Sequence, residues 1–214
     1  MEKITVDSTP DVVKPVFAVA LPGVGNVGVI ALGLLLKFSD SKRFGNYYSK
    51  NFPDYVVIED NGLCHLPRFD LYASKSVNPN IVMMISNTPI ISEESKSHYD
   101  VLDRIVEFAL EIDSSLLVAV DALAVVNGKP DTIHVTGTTS ELVTDFEKLG
   151  ARQYEAEKLP GSVGLLLGLS EYHGLRGIGV IGSTTSFVPD NNSGNRMYEF
   201  LLRALHLRKI DVHA

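Results

Sequence analysis

Two glycine-spaced turns hold the residues best suited to chemistry in this chain. Gly23-Val24-Gly25-Asn26-Val27-Gly28 fits G-x-G-x-x-G and follows an apolar run, Val16–Leu21, that reads as a buried strand. In that setting the free N–H groups opening the next helix can hold a pyrophosphate. A dinucleotide site also needs an acidic residue about 20 positions further on for the ribose hydroxyls. That region holds Tyr47 and Tyr48, while Asp40 and Asp54 are out of place. Pro22 further tightens the turn. No nucleotide cofactor is expected. The other reading of the glycines is that small residues let a buried helix sit close on the sheet.

Leu159-Pro160-Gly161-Ser162-Val163-Gly164 echoes the first turn, again with Pro-Gly ahead of a glycine-spaced apolar helix. Helices that follow parallel strands begin at the carboxyl edge of the sheet, where ligands bind. Gly23, Gly25, Asn26, Gly28, Gly161 and Ser162 are therefore candidates for holding a small anion. Neither turn supplies the lysine of a P-loop, and tight helix packing is the competing reading.

The remaining chemistry is sparse. Six histidines, at 65, 98, 134, 173, 206 and 213, show no metal-ligand spacing, and no metal site is expected. Gly168-Leu169-Ser170-Glu171-Tyr172 fails the nucleophile-elbow pattern at its last position. Gly182-Ser183-Thr184-Thr185-Ser186 follows a buried strand and reads as a hydrogen-bonded loop or a hydroxyl-lined pocket wall. Asp121, placed at a strand end, is the best single acid or base. It has no histidine or second carboxylate near it in sequence, so a loop-capping role competes. Cys64 and His65 are neighbours on a strand and point to opposite faces, so they do not form a pair. No catalytic set assembles from these residues.

The elements that position them alternate. Strands are expected over Val16–Leu21, Phe44–Ser49, Tyr55–Glu59, Asp70–Ser74, Ile81–Ser86, Leu116–Val120, Thr132–Thr136 and Gly177–Ile181. Asp60-Asn61-Gly62 supplies the chemistry of a primed hairpin turn. Helices are expected over Asn26–Phe38, buried on both sides, over Val163–Tyr172 and over Asn195–Leu207. Another starts at Ser92, followed by Glu93 and Glu94, with Tyr99, Leu102, Val106, Ala109 and Leu110 on one face. A further helix carries a Thr138–Glu141 capping box, Leu142, Phe146 and Leu149 inward, and ends at Gly150. This order predicts a three-layer α/β/α sandwich with a mostly parallel mixed sheet, in a single domain over 1–214 whose core spans about 16–208 between short tails.

The chain has 214 residues, 45% hydrophobic and 21% charged, enough to build a sizeable core. One cysteine leaves no internal disulfide and fits a reducing compartment. A net charge of -7 with no basic run argues against nucleic acid. No apolar run reaches the ~18–20 residues of a bilayer span, and the start of the chain lacks signal-peptide character. No membrane partner is expected, and a cytoplasmic protein is. Phe44, Tyr47, Tyr48 and Phe52, clustered among loop-like residues, are expected to anchor a homo-oligomer.

Taken together, the motifs resemble those of archaeal homologues of the proteasome assembly chaperones. The resemblance rests on Pro22-Gly23-Val24-Gly25-Asn26-Val27-Gly28 after a strand and on Asn87-Thr88-Pro89-Ile90 before a long amphipathic helix. It also rests on Leu159-Pro160-Gly161-Ser162-Val163-Gly164 before a Leu-rich helix, and on Val188-Pro189-Asp190 before the last helix. It spans about residues 16 to 208 and is carried by the order of these motifs. It implies a fold like that of nucleoside phosphorylases and peptidyl hydrolases without their catalytic groups. It also implies a homo-oligomer and a non-enzymatic chaperone that helps assemble the proteasome α-ring or another complex. Some members end in hydrophobic–Tyr–any residue, a tail that docks between α-subunits. This chain ends Val212-His213-Ala214, with histidine in the place of the tyrosine. The alternative reading is a phosphorylase/hydrolase-type enzyme that uses the glycine turns for an anionic ligand.

Overall fold

The computed structural model describes residues 2–90, 95–125 and 130–210, the side chains of 95–97 excepted. Its first half runs β1 (Glu2–Val6), β2 (Val16–Ala20), a 3-10 turn (Val24–Asn26), α1 (Val27–Phe38), β3 (Lys42–Ser49), β4 (Val57–Ile58), β5 (Cys64–His65), β6 (Phe69–Ser74), β7 (Val77–Asn78) and β8 (Ile81–Ile85). Next come α2 (Ser95–Glu111), β9 (Leu116–Ala124), β10 (Ile133–Gly137), α3 (Ser140–Glu147), β11 (Arg152–Gln153), α4 (Gly161–Tyr172), β12 (Gly177–Thr184), α5 (Asn191–Ala204) and β13 (Arg208–Lys209).

Among the described residues nine strands form one mixed sheet in the order β1-β3-β6-β8-β2-β9-β12-β10-β11. The four middle strands β8, β2, β9 and β12 are parallel. Their residues are apolar on both faces because helices cover both. Ala18, Val118 and Val180 face one way, into a core with Leu32 of α1, Phe146 of α3 and Leu201 of α5. Phe17, Leu117 and Ala119 face the other, against Leu102 and Ile105 of α2 and Leu166 of α4. This is the expected three-layer sandwich. Its antiparallel share is larger than expected: β1, β3 and β6 meander antiparallel to one another and to β8, and β10 runs antiparallel to β12.

Several local expectations change. β9 does not stop at Val120. It stays paired with β12 as far as Ala124, which places Asp121 inside the strand opposite Ile181. The cap of α3 is Thr139, whose hydroxyl accepts from Leu142 N–H at 3.4 Å, while Thr138 Oγ1 accepts from Gly177 N–H at 3.0 Å. The β4–β5 turn is not a primed one. Only Gly62 has positive φ, Gly62 N–H donates to Glu59 O at 2.8 Å, and the form is an ordinary turn followed by a left-handed glycine. Helix α1 is buried along Val27, Ala31, Leu32 and Leu35, while Val29, Gly33 and Leu36 are half-buried, so its cover is complete toward the sheet and partial on the other side. On α2, Val101, Leu102, Ile105, Val106 and Ala109 are buried, whereas Tyr99 and Leu110 face solvent. The Ser92 cap with Glu93 and Glu94 lies outside the described residues.

The expected aromatic anchors belong to the core instead. Tyr47 and Phe69 are fully buried, and the Phe52 ring packs on Phe69 at 4.4 Å and on Tyr47 at 5.7 Å. Phe44 is buried too, and Tyr48 is half-buried. Residues after α5 are also more ordered than a frayed end: Arg208 and Lys209 pair with Asn78 and Val77, and Ile210 N–H donates to Ser76 O at 2.9 Å.

Candidate functional site

The first glycine turn leaves β2 at the carboxyl edge and passes directly over the protruding end of β9. A Cβ on Gly23 would lie 1.9 Å from Asp121 Oδ1, and one on Gly28 would lie 2.4 Å from the Val120 carbonyl oxygen. Gly25 has φ +61° and its carbonyl accepts from Asp190 N–H at 2.9 Å. Asn26, also left-handed at φ 48°, leads into α1. The spacing that resembles a dinucleotide fingerprint thus serves close approach of α1 to the sheet.

Asp121 is the chemically loaded group under this turn. Its Oδ1 accepts from Ala122 N–H at 2.7 Å, and among the described residues it forms no ion pair. Burial lifts its carboxyl to about 6, partly opposed by that hydrogen bond. Above that pH the ground next to Gly23 is negatively charged, which repels an anion.

Asp190 is tied to the same turn and is opposite in character. It caps α5, accepting from Ser193 Oγ at 2.6 Å, Thr184 Oγ1 at 2.7 Å and Ser193 N–H at 3.1 Å. The hydroxyls of Ser193 and Thr184 hold its carboxyl down at about 2. Arg196 donates to Ser193 Oγ at 2.6 Å and to the Pro130 carbonyl. The hydroxyl run forms the end of β12 and the loop that follows, and most of it is engaged internally: Ser183 Oγ donates to Thr132 O at 2.8 Å, Thr184 Oγ1 to Asp190 and Ser186 Oγ to Val188 O at 2.8 Å. It is both a hydrogen-bonded loop and, at Thr185 and Ser186, part of the wall of a polar pocket shared with Asp190 and Arg196. The helix that Asp190 caps starts at Asn191, not at the expected Asn195, and the signal that marks this start is an Asp directly ahead of it.

The second glycine turn opens α4, on the opposite face of the sheet from α1. Gly161 and Ser162 therefore do not converge with Gly23, Gly25, Asn26 and Gly28 on one ligand. Gly161 instead lines an open trough of about 850 Å³ between α2 and α4, with Gly164, Gly168, Leu165, Leu169, Tyr99 and Tyr172. Tyr172 is 80% exposed and Tyr99 51%. Beside the trough, His173 Nε2 meets Asp103 Oδ1 at 2.7 Å and links the two helices. Ser170 Oγ is buried and donates to Leu166 O at 2.7 Å, so it is no nucleophile for that pair. The trough is an apolar surface with aromatic rims, a form suited to protein contact. Among the described residues no group of three or more His, Cys, Asp and Glu is placed to hold a metal, and no helix is long and apolar enough to cross a membrane. Val212, His213 and Ala214 lie outside the described residues.

Comparison with known proteins gives this architecture relatives. The structure of PbaB from Pyrococcus furiosus, described as an archaeal proteasome activator, superimposes with a TM-score of 0.89 over 98% of this chain and 91% of that one, at 23% identity. PbaA of the same organism, an archaeal homolog of proteasome-assembly chaperone, gives a TM-score of 0.79 over 100% and 89% at 22% identity. MJ1210 of Methanocaldococcus jannaschii is 25% identical over 183 residues, 84% of this chain and 69% of its own. The PAC2 family matches residues 17–214. With both glycine turns, the Asp190-capped last helix and all of the mixed sheet but its first strand inside that match, the chain belongs to the PAC2 family.

Proposed function

We propose that the protein is a non-enzymatic assembly chaperone, a cytoplasmic homo-oligomer that holds subunits of a larger complex, proteasome α-subunits foremost. The observation that carries this reading is the α2–α4 trough, apolar and rimmed by Tyr99 and Tyr172. A subunit awaiting assembly exposes the apolar surface that it will later bury, and an aromatic-rimmed trough is complementary to such a surface. Family membership and the likeness to PbaA and PbaB support the same direction. The alternative, an enzyme that binds an anion at its glycine turns, is weakened by two features. The turns lie on opposite faces of the sheet, and Asp121 sets a carboxylate against Gly23.

The test is α-ring formation from separately produced proteasome α-subunits of the source organism, followed by native electrophoresis with and without this protein. Ring yield or rate rises with the wild type and returns toward the unassisted level with a Leu169→Asp, Tyr172→Asp variant. An unchanged ring yield, together with no binding of α-subunits, would refute the reading.

A further inference from the structure

Among the described residues the β4–β5 hairpin stands apart from the main sheet and pairs only with itself, two residues to a strand. A ribbon that short is not stable in water by itself, so its faces must be covered. The register sets Val57 opposite His65 and Ile58 opposite Cys64. Alternation then divides the hairpin into two faces. Val57 and His65 turn toward the body, over a cleft lined by Val29, Gly33 and Leu36 of α1, and His65 lies 3.8 Å from Glu59 on that side. The outer face carries Val56, Ile58, Cys64 and Leu66, without a single charge.

That outer face is bare. Val56 is 50% exposed, Ile58 63% and Leu66 54%, with Tyr55 at 48% and Leu63 at 65% at its margins, and Cys64 is exposed too. Together they show on the order of 500 Å² of apolar surface, as large as the largest patch that an ordinary monomer leaves uncovered. A solvated hairpin would alternate apolar and polar residues, and this one does not.

We propose that the outer face of the hairpin packs against the same face of a second copy of this chain about a two-fold axis. The proposal rests on the homo-oligomer reading above and names its surface. Two such faces bury about 1,000 Å² in all, the least that a specific interface needs. A two-fold contact requires a self-complementary patch, and a face without charge meets its own copy without repulsion. The acidic residues lie elsewhere, Glu59 and Asp60 at the tip and Asp54 at the base. Antiparallel packing of the two hairpins sends the tips to opposite ends of the contact, which keeps Glu59 and Asp60 of one copy away from those of the other.

Light scattering of the full chain at micromolar concentration, with Cys64 cross-linking, tests this. Cys64 is the sole cysteine, so a short bismaleimide can join two copies only through that face. The wild type is expected to be oligomeric and to give a covalent dimer, and Cys64→Ser to give none. Ile58→Asp is expected to halve the mass, with an unchanged circular dichroism spectrum because the site is exposed. An oligomeric wild type whose mass survives Ile58→Asp, or whose Cys64 does not cross-link, would overturn the hairpin contact and leave the oligomer reading standing. A monomeric wild type would overturn both.

Discussion

Replacing Asp121 by asparagine should make the protein more stable at neutral pH and remove part of its pH dependence. The carboxyl titrates at about 6 in the folded chain because burial disfavours its charge, against roughly 3.9 in an unfolded one. The folded state therefore holds the proton more tightly. Below about pH 4 the group is neutral in both states and costs nothing. Between pH 4 and 6 each pH unit removes about 1.4 kcal/mol, and above 6 the penalty is constant at about 2–3 kcal/mol, allowing for the partial exposure of the side chain. Asparagine keeps an oxygen to accept from Ala122 N–H and carries no charge to desolvate. In urea unfolding, wild type and Asp121→Asn should coincide near pH 4, and the variant should lead by about 2–3 kcal/mol at pH 7.5, a rise in Tm of roughly 5–10 °C. Asp190 does not blur this window. Its carboxyl is held down at about 2, so the stability it adds is present above the unfolded value and is lost only as the pH falls toward 2. A gap between the two proteins that is the same at pH 4 and 7.5, or a wild type that is the more stable at 7.5, would refute the assigned cause.

The middle of the fold was legible because its strands are short, wholly apolar runs bounded by breakers, and its helices carry the 3.6-residue period. Asp121 shows where that legibility ends. A charged residue after Leu116–Val120 reads as the end of a strand, yet β12 runs on beside it and keeps β9 paired through Ala124. The cap of α3 slipped by one residue because Thr138 and Thr139 have the same side chain, and only the hydrogen bond from Gly177 shows that Thr138 is engaged elsewhere. The aromatic residues of β3 and the loop after it read as surface anchors because their neighbours are polar. Their burial depends on Phe69, contributed by a strand 22 residues beyond Tyr47. The bare hairpin face was illegible for the converse reason, since apolar residues on a strand give no sign that no layer lies above them. The packing role of the glycine turn was readable as an alternative. Its cause, the far end of β9 rising beneath Gly23 and Gly28, is tertiary.

The glycine reading separates two neighbouring substitutions on α1. Gly28→Ala drives a Cβ to 2.4 Å from a backbone oxygen that cannot swing aside, and should cost about 1–3 kcal/mol in urea unfolding. Gly33→Ala meets nothing within 4 Å, and should add about 0.5–1 kcal/mol through helix propensity. Equal effects of the two would refute close approach as the function of the motif. The last prediction concerns Val212, His213 and Ala214. The chain is held as far as Ile210 by its pairing with β7, and Lys209 lies 3.2 Å from Asp40, so anything beyond departs from a fixed point on the body. If the tail docks on a proteasome α-ring, Val212 enters an apolar slot and His213 fills a space shaped for a larger phenol. Deleting the three residues should then weaken binding to a matched α-ring in a pull-down, and His213→Tyr should strengthen it. An α-ring affinity that neither change moves would assign docking to the globular surface, where the trough between α2 and α4 offers the aromatic rim that the tail lacks.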